Sequence, residues 1–279
     1  MTTLSKTEIS EILHFSKQLA LETGALILAE LDQLSSDLKH GNELVTSADL
    51  KADVLIRRRI EARFPKHCIL SEESSPHLSQ RSQISQLIKS PLWIIDPIDG
   101  TVNFAHGHPQ SAVSIAFIDG GEVQTGVVFN PFSEELFYAQ RGQGAFINDA
   151  AIEVGTQSEL SRALIATGFP YDKSNLAPLI RRLQGVLEHC ADIRRLGSAA
   201  LDICWVAMGR LDGYYESLSV WDFAAAQLIA TEAGASYGHF SQLPPGVSEA
   251  FYDQDILVAN PHLYPKLLEL LQKIDGTVT

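Results

Sequence analysis

The chain has 279 residues, enough for one large or two medium domains, and with 45% hydrophobic and 20% charged residues it can bury a sizeable core. Its formal charge of −13 argues against a nucleic-acid backbone or an anionic membrane as partner, so an anionic substrate would need metal ions or local dipoles to reverse the sign. Cys68, Cys190 and Cys204 form no C-x-x-C pair, no apolar leader follows Lys6, and no run reaches the ~18–20 apolar residues of a membrane span, which together predict a cytoplasmic protein.

Taken in order, apolar residues at helical spacing predict a long amphipathic helix from Ser5 to about Leu34. A polar break at Lys39-His40-Gly41-Asn42 follows, and then Thr46 or Ser47 can cap a helix from Ala48 to Phe64, closed by Pro65. Asp49 falls in its first turn, where a carboxylate favours the positive end of the helix dipole whatever else it does. Cys68-Ile69-Leu70 reads as a short strand ending in Ser71-Glu72-Glu73-Ser74, and the polar stretch after it holds a short helix at Ile84–Ile88. Leu92 to Ile95 suit a buried strand, which delivers Asp96 and Asp99, on either side of Pro97, to Gly100-Thr101. Short strands come next: Ala112–Ile118 and Glu122–Phe129 as a hairpin, then Glu135–Ala139 and Gly144–Ile147. The G-x-G at Gly142–Gly144 lacks the strand-to-helix setting of a dinucleotide site.

From about Ala150 strands and helices alternate. Strands are predicted at Leu164–Thr167, Asp192–Arg194, Arg210–Glu216 and Asp255–Ala259; helices at Ala177–His189, Ser198–Met208, Trp221–Ala233 and Pro261–Ile274. The shift predicts an N-terminal α+β part over 1–150 and a C-terminal α/β part over 151–279, joined in one compact unit of the α/β class.

Carboxylates therefore arrive at three separated element ends: Glu72, the Asp96/Asp99 pair, and Asp222 after Trp221. Each has an ordinary explanation alone. Glu72 and Glu73 suit a solvated loop, and an acid opening a helix, as at Asp222, is worth ~0.3–1 kcal/mol through the dipole. Crowded at one strand end, Asp96 and Asp99 repel each other unless a cation lies between them. Mg2+ takes a few carboxylates plus substrate phosphate, and two ions sharing a carboxylate can hold both oxygens of an in-line displacement. Gly100-Thr101 adds N–H groups and a hydroxyl for an anion. Phosphate chemistry on a hard cation joins these features.

The stretches WIIDPIDGTVNF (93–104) and WDFAAAQLIATEAGA (221–235) closely resemble the two signatures of the inositol monophosphatase family. SEES at 71–74, LVTSAD at 44–49 and RRLGSAALDICWVAMGRLDGYYE at 194–216 match further segments of it, from about residue 8 to about 270. The resemblance implies a layered αβαβα sandwich of the inositol monophosphatase and fructose-1,6-bisphosphatase type, a homodimer, and lithium inhibition. It also implies a Mg2+-dependent phosphomonoesterase acting on a small phosphorylated metabolite. Glu72, Asp96 and the carbonyl of Ile98 would hold one Mg2+; Asp96, Asp99 and Asp222 a second; a third, weaker ion would lie near Glu72. Thr101 paired with Asp49 would position and deprotonate a metal-activated water, with Glu72 a rival for that role, and the water would attack directly without a phosphoenzyme. The N–H groups of Gly100 and Thr101 would cradle the phosphate, Ser198, Ala199 and Glu216 would meet the substrate's ring, and Lys39 would lie near the metal loop. Inositol 1-phosphate is the first expectation. Because Ser217–Val220 is one residue shorter than in the inositol phosphatases compared, fructose 1,6-bisphosphate, histidinol phosphate and adenosine 3′,5′-bisphosphate stand as alternatives. Two rivals are a haloacid-dehalogenase-type phosphatase, whose D-x-D-x-T motif Asp96 and Asp99 miss by one residue, and a metal-binding regulatory protein that kept the fold without turnover. His106, His108, His189, Trp205 and Met208 are expected to be structural.

Overall fold

The computed structural model describes residues 4–31, 36–39, 43–170 and 172–276; the turn at 40–42 and the side chain of Lys39 lie outside the described residues. Helix α1 (Lys6–Glu30) opens on a reciprocal cap, Ser5 Oγ accepting from Glu8 N–H while Glu8 accepts from Ser5 N–H. A hairpin of β1 (Ser36–Lys39) and β2 (Glu43–Thr46) leads into α2 (Ser47–Arg63). Thr46 is the cap, its Oγ1 accepting from the N–H groups of Ala48 and Asp49 at 3.2 and 3.4 Å.

The larger sheet runs in the order β3 (Cys68–Ser71), β4 (Leu92–Asp99), β5 (Ala112–Asp119), β6 (Glu122–Asn130), β7 (Glu135–Gln140), β8 (Ala145–Ile147) and β9 (Ala150–Ile152). Only β3 and β4 pair in parallel; the rest is an antiparallel meander. Between β3 and β4, α3 (Arg81–Leu87) starts three residues before the periodicity suggests. The smaller sheet has the order β11 (Asp192–Arg194), β10 (Leu164–Thr167), β12 (Gly213–Glu216), β14 (Ile256–Ala259) and β13 (Ser236–His239). The edge strands β9 and β13 are short and carry no apolar alternation, which is why periodicity passes over them.

Helices α1 and α2 cover one face of the larger sheet, packing Ile12, Ile56 and Ile60 onto Trp93, Ile95 and Phe117. Its other face, Leu92, Ile94 and Ile118, meets α6 (Ala199–Ala207) and α7 (Val220–Glu232). Outside the smaller sheet, α5 (Ala177–His189) and α8 (Tyr264–Ile274) pack over Ile165, Tyr215 and Leu257. The result is the expected αβαβα stack. Both faces of β4 and β5 are covered, so these strands read as unbroken apolar runs even though their pairing is antiparallel. Helix α7 is apolar all round because it touches the larger sheet and β13 of the smaller one.

Two boundaries differ from the sequence expectation for identifiable reasons. The strand expected from Arg210 begins at Gly213, because the N–H groups of Arg210 and Leu211 turn back to the Trp205 carbonyl and close α6. The helix expected from Pro261 begins at Tyr264, because Asn260 Oδ1 accepts from the N–H groups of His262 and Leu263 and holds a turn there.

Candidate active site

Strand β4 can present both of its acids to one side because it is irregular. In a regular strand, residues three apart face opposite sides of the sheet. Here Asp96 pairs with Ser114 and Asp99 with Ala112, so three steps on β4 match two on β5 and one extra residue bulges out. Pro97, which cannot donate to the ladder, is the sequence mark of the break. The bulge is fastened from within: Asp96 Oδ1 accepts from the N–H of Ile98 at 3.0 Å. Gly100 then turns the chain at φ +94°, where a Cβ would lie 2.7 Å from the Gln110 carbonyl oxygen, and hands it to α4 (Thr101–Ala105).

The third acid comes from another layer. Asp222 lies in the first turn of α7, and its Oδ2 accepts from Ser219 N–H at 2.9 Å. The capping explanation is thus correct, and it leaves a second oxygen for other work. Carboxylate oxygens of Asp96, Asp99 and Asp222 all lie within 4.8 Å of one another. Glu72, just past β3 with its N–H on the Ile95 carbonyl, is not one of this trio but hydrogen-bonds to the Asp96 side chain. Burial, then the charges of Glu72, Asp99 and Asp222, push the Asp96 carboxyl well above the usual range. Burial and the charges of Asp99 and Glu72 do the same to Asp222. Asp99 is raised to about 6, burial outweighing the hydrogen bonds it accepts from Ser198 and the Ala200 and Ala199 N–H groups. A divalent cation displaces protons that clustered acids hold, and an all-oxygen donor set suits a hard ion. The residues present fit a metal site of that kind.

Beside the trio, Thr101 Oγ1 stands 3.0 Å from Asp49 Oδ1 and 3.1 Å from the Ile98 carbonyl oxygen. Asp49 is 1% exposed, and its Oδ2 accepts from Thr46 N–H at 2.7 Å. Like Asp222, it caps its helix with one oxygen and serves the site with the other. Asp49 does not border the cavity itself; it is reached through Thr101.

All the other expected site residues border one cavity of about 300 Å3: Glu72, Asp96, Ile98, Asp99, Gly100, Thr101, Ser198, Ala199, Glu216 and Asp222. Ser198 caps α6, and its hydroxyl donates to Asp99 Oδ2 at 2.6 Å, so that proton is committed to the acid. Glu216, at the end of β12, accepts from the Tyr214 hydroxyl and is raised by burial to about 7. Further lining residues escaped the sequence reading, among them Gly168 and Phe169 past β10, Arg195 past β11, and Asp202 on α6. A Cβ on Gly168 would collide with the Glu216 carboxylate, so any larger residue there would displace that acid. Asp202 is 2% exposed, its Oδ1 meets no hydrogen-bond partner among the described residues, and burial pushes its carboxyl well up. Its signal was a lone acid in the otherwise apolar AALDICWVA. The His106 ring bonds to the Val102 carbonyl and the His189 ring to that of Gly185, each one turn back.

Residues 8–275 match the profile of the inositol monophosphatase family. The inositol-1-monophosphatase of Rhizobium meliloti is 36% identical over 267 residues, covering 95% of this chain and 94% of the relative. The Nus factor SuhB of Pasteurella multocida is 38% identical over 243 residues, 86% of this chain and 87% of its own. Among solved structures, the inositol monophosphatase from Anabaena superposes with a TM-score of 0.80 at 33% identity, over 96% of this chain and 97% of the other.

Proposed function

The chain belongs to the inositol monophosphatase family, and on that premise we propose that it is a Mg2+-dependent phosphomonoesterase whose first substrate candidate is inositol 1-phosphate. The observation that carries this reading is the convergence of Asp96, Asp99 and Asp222, with Glu72 beside them, on the cavity that Thr101 borders. When bound, Mg2+ would offset the carboxylate charge and polarise the phosphoryl oxygens and the attacking water. Asp96, Asp99 and Asp222 would hold one ion, and Glu72, Asp96 and the Ile98 carbonyl another, giving two or three per site. Thr101 orients the attacking water, and Asp49, through the Thr101 hydroxyl, draws its proton away; general base assistance of this kind contributes about 10²–10⁴-fold. The N–H groups of Gly100 and Thr101 hold the phosphate, while Glu216, with Ser198 and Ala199, faces the alcohol. Local positive charge within a −13 protein then comes from the ions.

The deciding experiment is phosphate release from a panel of sugar, inositol, amino-alcohol and nucleotide phosphates, with Mg2+ and with or without lithium. Turnover that needs Mg2+ and falls with lithium is expected; no release from any substrate would sink the reading. The second reading, a regulatory protein that works without turnover, takes its support from the relative named as a Nus factor. Among the described residues no helix is long and apolar enough to cross a membrane. A homodimer in the cytoplasm completes the proposal.

A further inference from the structure

Asp96, Asp99 and Asp222 are each held by a backbone N–H, while Glu72 arrives on a loop, and a buried acid outside the cavity ties that loop down. Asp53 lies on α2, one turn after Asp49 on the same side of the helix, and is 4% exposed. Its Oδ1 accepts from the Ser71 hydroxyl at 2.5 Å and from the Ser74 hydroxyl at 3.2 Å, and these two serines bracket Glu72 and Glu73. Its Oδ2 accepts from Arg57 Nε at 2.9 Å, so both oxygens are engaged and the carboxylate is fixed along its own helix. The loop also closes on itself. Ser71 N–H donates to Ser75 Oγ at 2.9 Å, and Ser75 returns its N–H and its hydroxyl to the Ser71 carbonyl at 3.0 and 3.2 Å. Asp53, Ser71 and Ser74 do not border the cavity, whereas Glu72, between the two serines, does.

We infer that Asp53 is a positioning residue for the metal centre: through Ser71 and Ser74 it fixes Glu72 against Asp96. It thereby sets the affinity for the divalent ion that Glu72 would share with Asp96, and leaves the ion of Asp96, Asp99 and Asp222 unaffected, an inference that rests on the metal reading of the proposed function. The reason is geometric. A turn closed only on itself can rock about its ends, and the Glu72 carboxylate stands three torsions from its backbone, so a small shift at Ser71 grows before it reaches the oxygens. Two hydroxyl bonds to a helix remove that freedom, because α2 is itself seated on the larger sheet through Ile56 and Ile60. Closure of the loop is already provided by Ser75, so the bonds to Asp53 serve its placement. The same helix delivers Asp49, whose Oδ1 accepts from Thr101 Oγ1 at 3.0 Å. Thr101 and Glu72, which flank the trio, therefore take their places from neighbouring turns of one rigid element.

Calorimetric titration of Mn2+ into the metal-free protein tests this without turnover, with Glu72→Gln and Asp222→Asn showing which binding phase belongs to which ion. Asp53→Ala should weaken the phase that Glu72→Gln weakens, about ten- to hundredfold, the usual cost of removing a group that orients a metal ligand, and leave the phase of Asp222→Asn unchanged. The double variant Ser71→Ala/Ser74→Ala keeps the carboxylate, removes the two hydroxyls and should reproduce the same selective loss. It carries the test if circular dichroism shows that Asp53→Ala does not fold. Asp53→Asn keeps an acceptor oxygen for the serines and should recover part of the loss. Equal weakening of both phases would make Asp53 a general support of the fold. A double serine variant with native binding, beside weakened Asp53→Ala and Asp53→Asn, would mean that Asp53 acts by charge, and no loss in any variant would mean that Glu72 is placed without it; each of these overturns the inference. In the last case two native phases would leave the metal reading standing, whereas native protein that binds no Mn2+ would overturn that reading and the inference together.

Discussion

On one side of the cavity, Asp96, Asp99 and Asp222 sit within secondary-structure elements, a strand bulge and the first turn of a helix, and each has an oxygen bonded to backbone N–H. On the other side, Glu216, Phe169 and Arg195 sit just inside or just past the ends of three short strands, fixed by a tyrosine hydroxyl, a ring face and a pinned loop. The first side allows little movement, because shifting any acid would break a backbone bond, within its own element for Asp96 and Asp222 and to the start of α6 for Asp99. The second could be rebuilt without disturbing a helix or the larger sheet. On the proposed function, chemistry falls on the inflexible side and recognition on the adjustable one.

The largest effect should come from breaking the inflexible side. Asp99→Asn is expected to lower phosphate release by at least about 10³-fold, beyond the loss of one charge-stabilising hydrogen bond, while circular dichroism shows the fold retained. Near-native turnover would end the metal assignment. Thr101→Val should cost about 10²-fold in kcat with the Mg2+ concentration dependence unchanged, since the hydroxyl serves the water rather than the ion. A shifted Mg2+ dependence would move Thr101 into the metal site instead.

A thermal melt separates the two sides by their protons. Asp99 and Glu216 are raised in the folded chain from 3.8 and 4.5 to about 6 and about 7, so without metal the folded state binds more protons than the unfolded one. The stability they contribute is full below about pH 4 and is lost as pH rises through 6 and 7. Mg2+ at ~100 times its Kd should add about 2.7 kcal/mol and remove the part of the decline due to Asp96, Asp99 and Asp222, leaving the part due to Glu216 and Asp202. A melt in Mg2+ that is flat from pH 5 to 8 would bring Glu216 and Asp202 under the influence of the ions as well. The smallest effect is expected from Tyr214→Phe. Its hydroxyl helps hold Glu216 down, so removing it should raise KM for inositol 1-phosphate about tenfold and move the pH midpoint of KM upward from about 7. A downward or absent shift would deny Glu216 its role toward the alcohol.

The same division decides what the sequence shows in advance. The metal side was legible because its residues are contiguous, as in Asp96–Thr101, or announce themselves at a helix start, as Asp49 and Asp222 do. At both helix starts the modest explanation proved true: one oxygen of each acid accepts from the N–H of its cap residue. The fold was legible wherever both faces of an element are buried, as in β4, β5 and α7. It was not legible at β9 and β13, where short edge strands carry little periodic signal. The alcohol side stayed dark because Gly168 and Glu216 meet only through the parallel pairing of β10 and β12, and Phe169 and Arg195 only across a loop. No local pattern encodes such meetings.

The bulge in β4 has an evolutionary consequence. Because sides of a strand alternate, the spacing of Asp96 and Asp99 works only with one residue counted out of step. Losing or gaining a single residue between them would do more than move an acid by a few ångströms. Gaining one while the bulge stays would send a carboxylate through the sheet toward Trp93, Ile95 and the apolar layer under α1 and α2, and losing one would remove the bulge itself, with the Ile98 N–H that fastens it to Asp96. Point substitutions can be explored one at a time at this site, but length changes between the two acids cannot. The three-residue interval is therefore a frame as well as a motif, and it should outlast most of the letters around it.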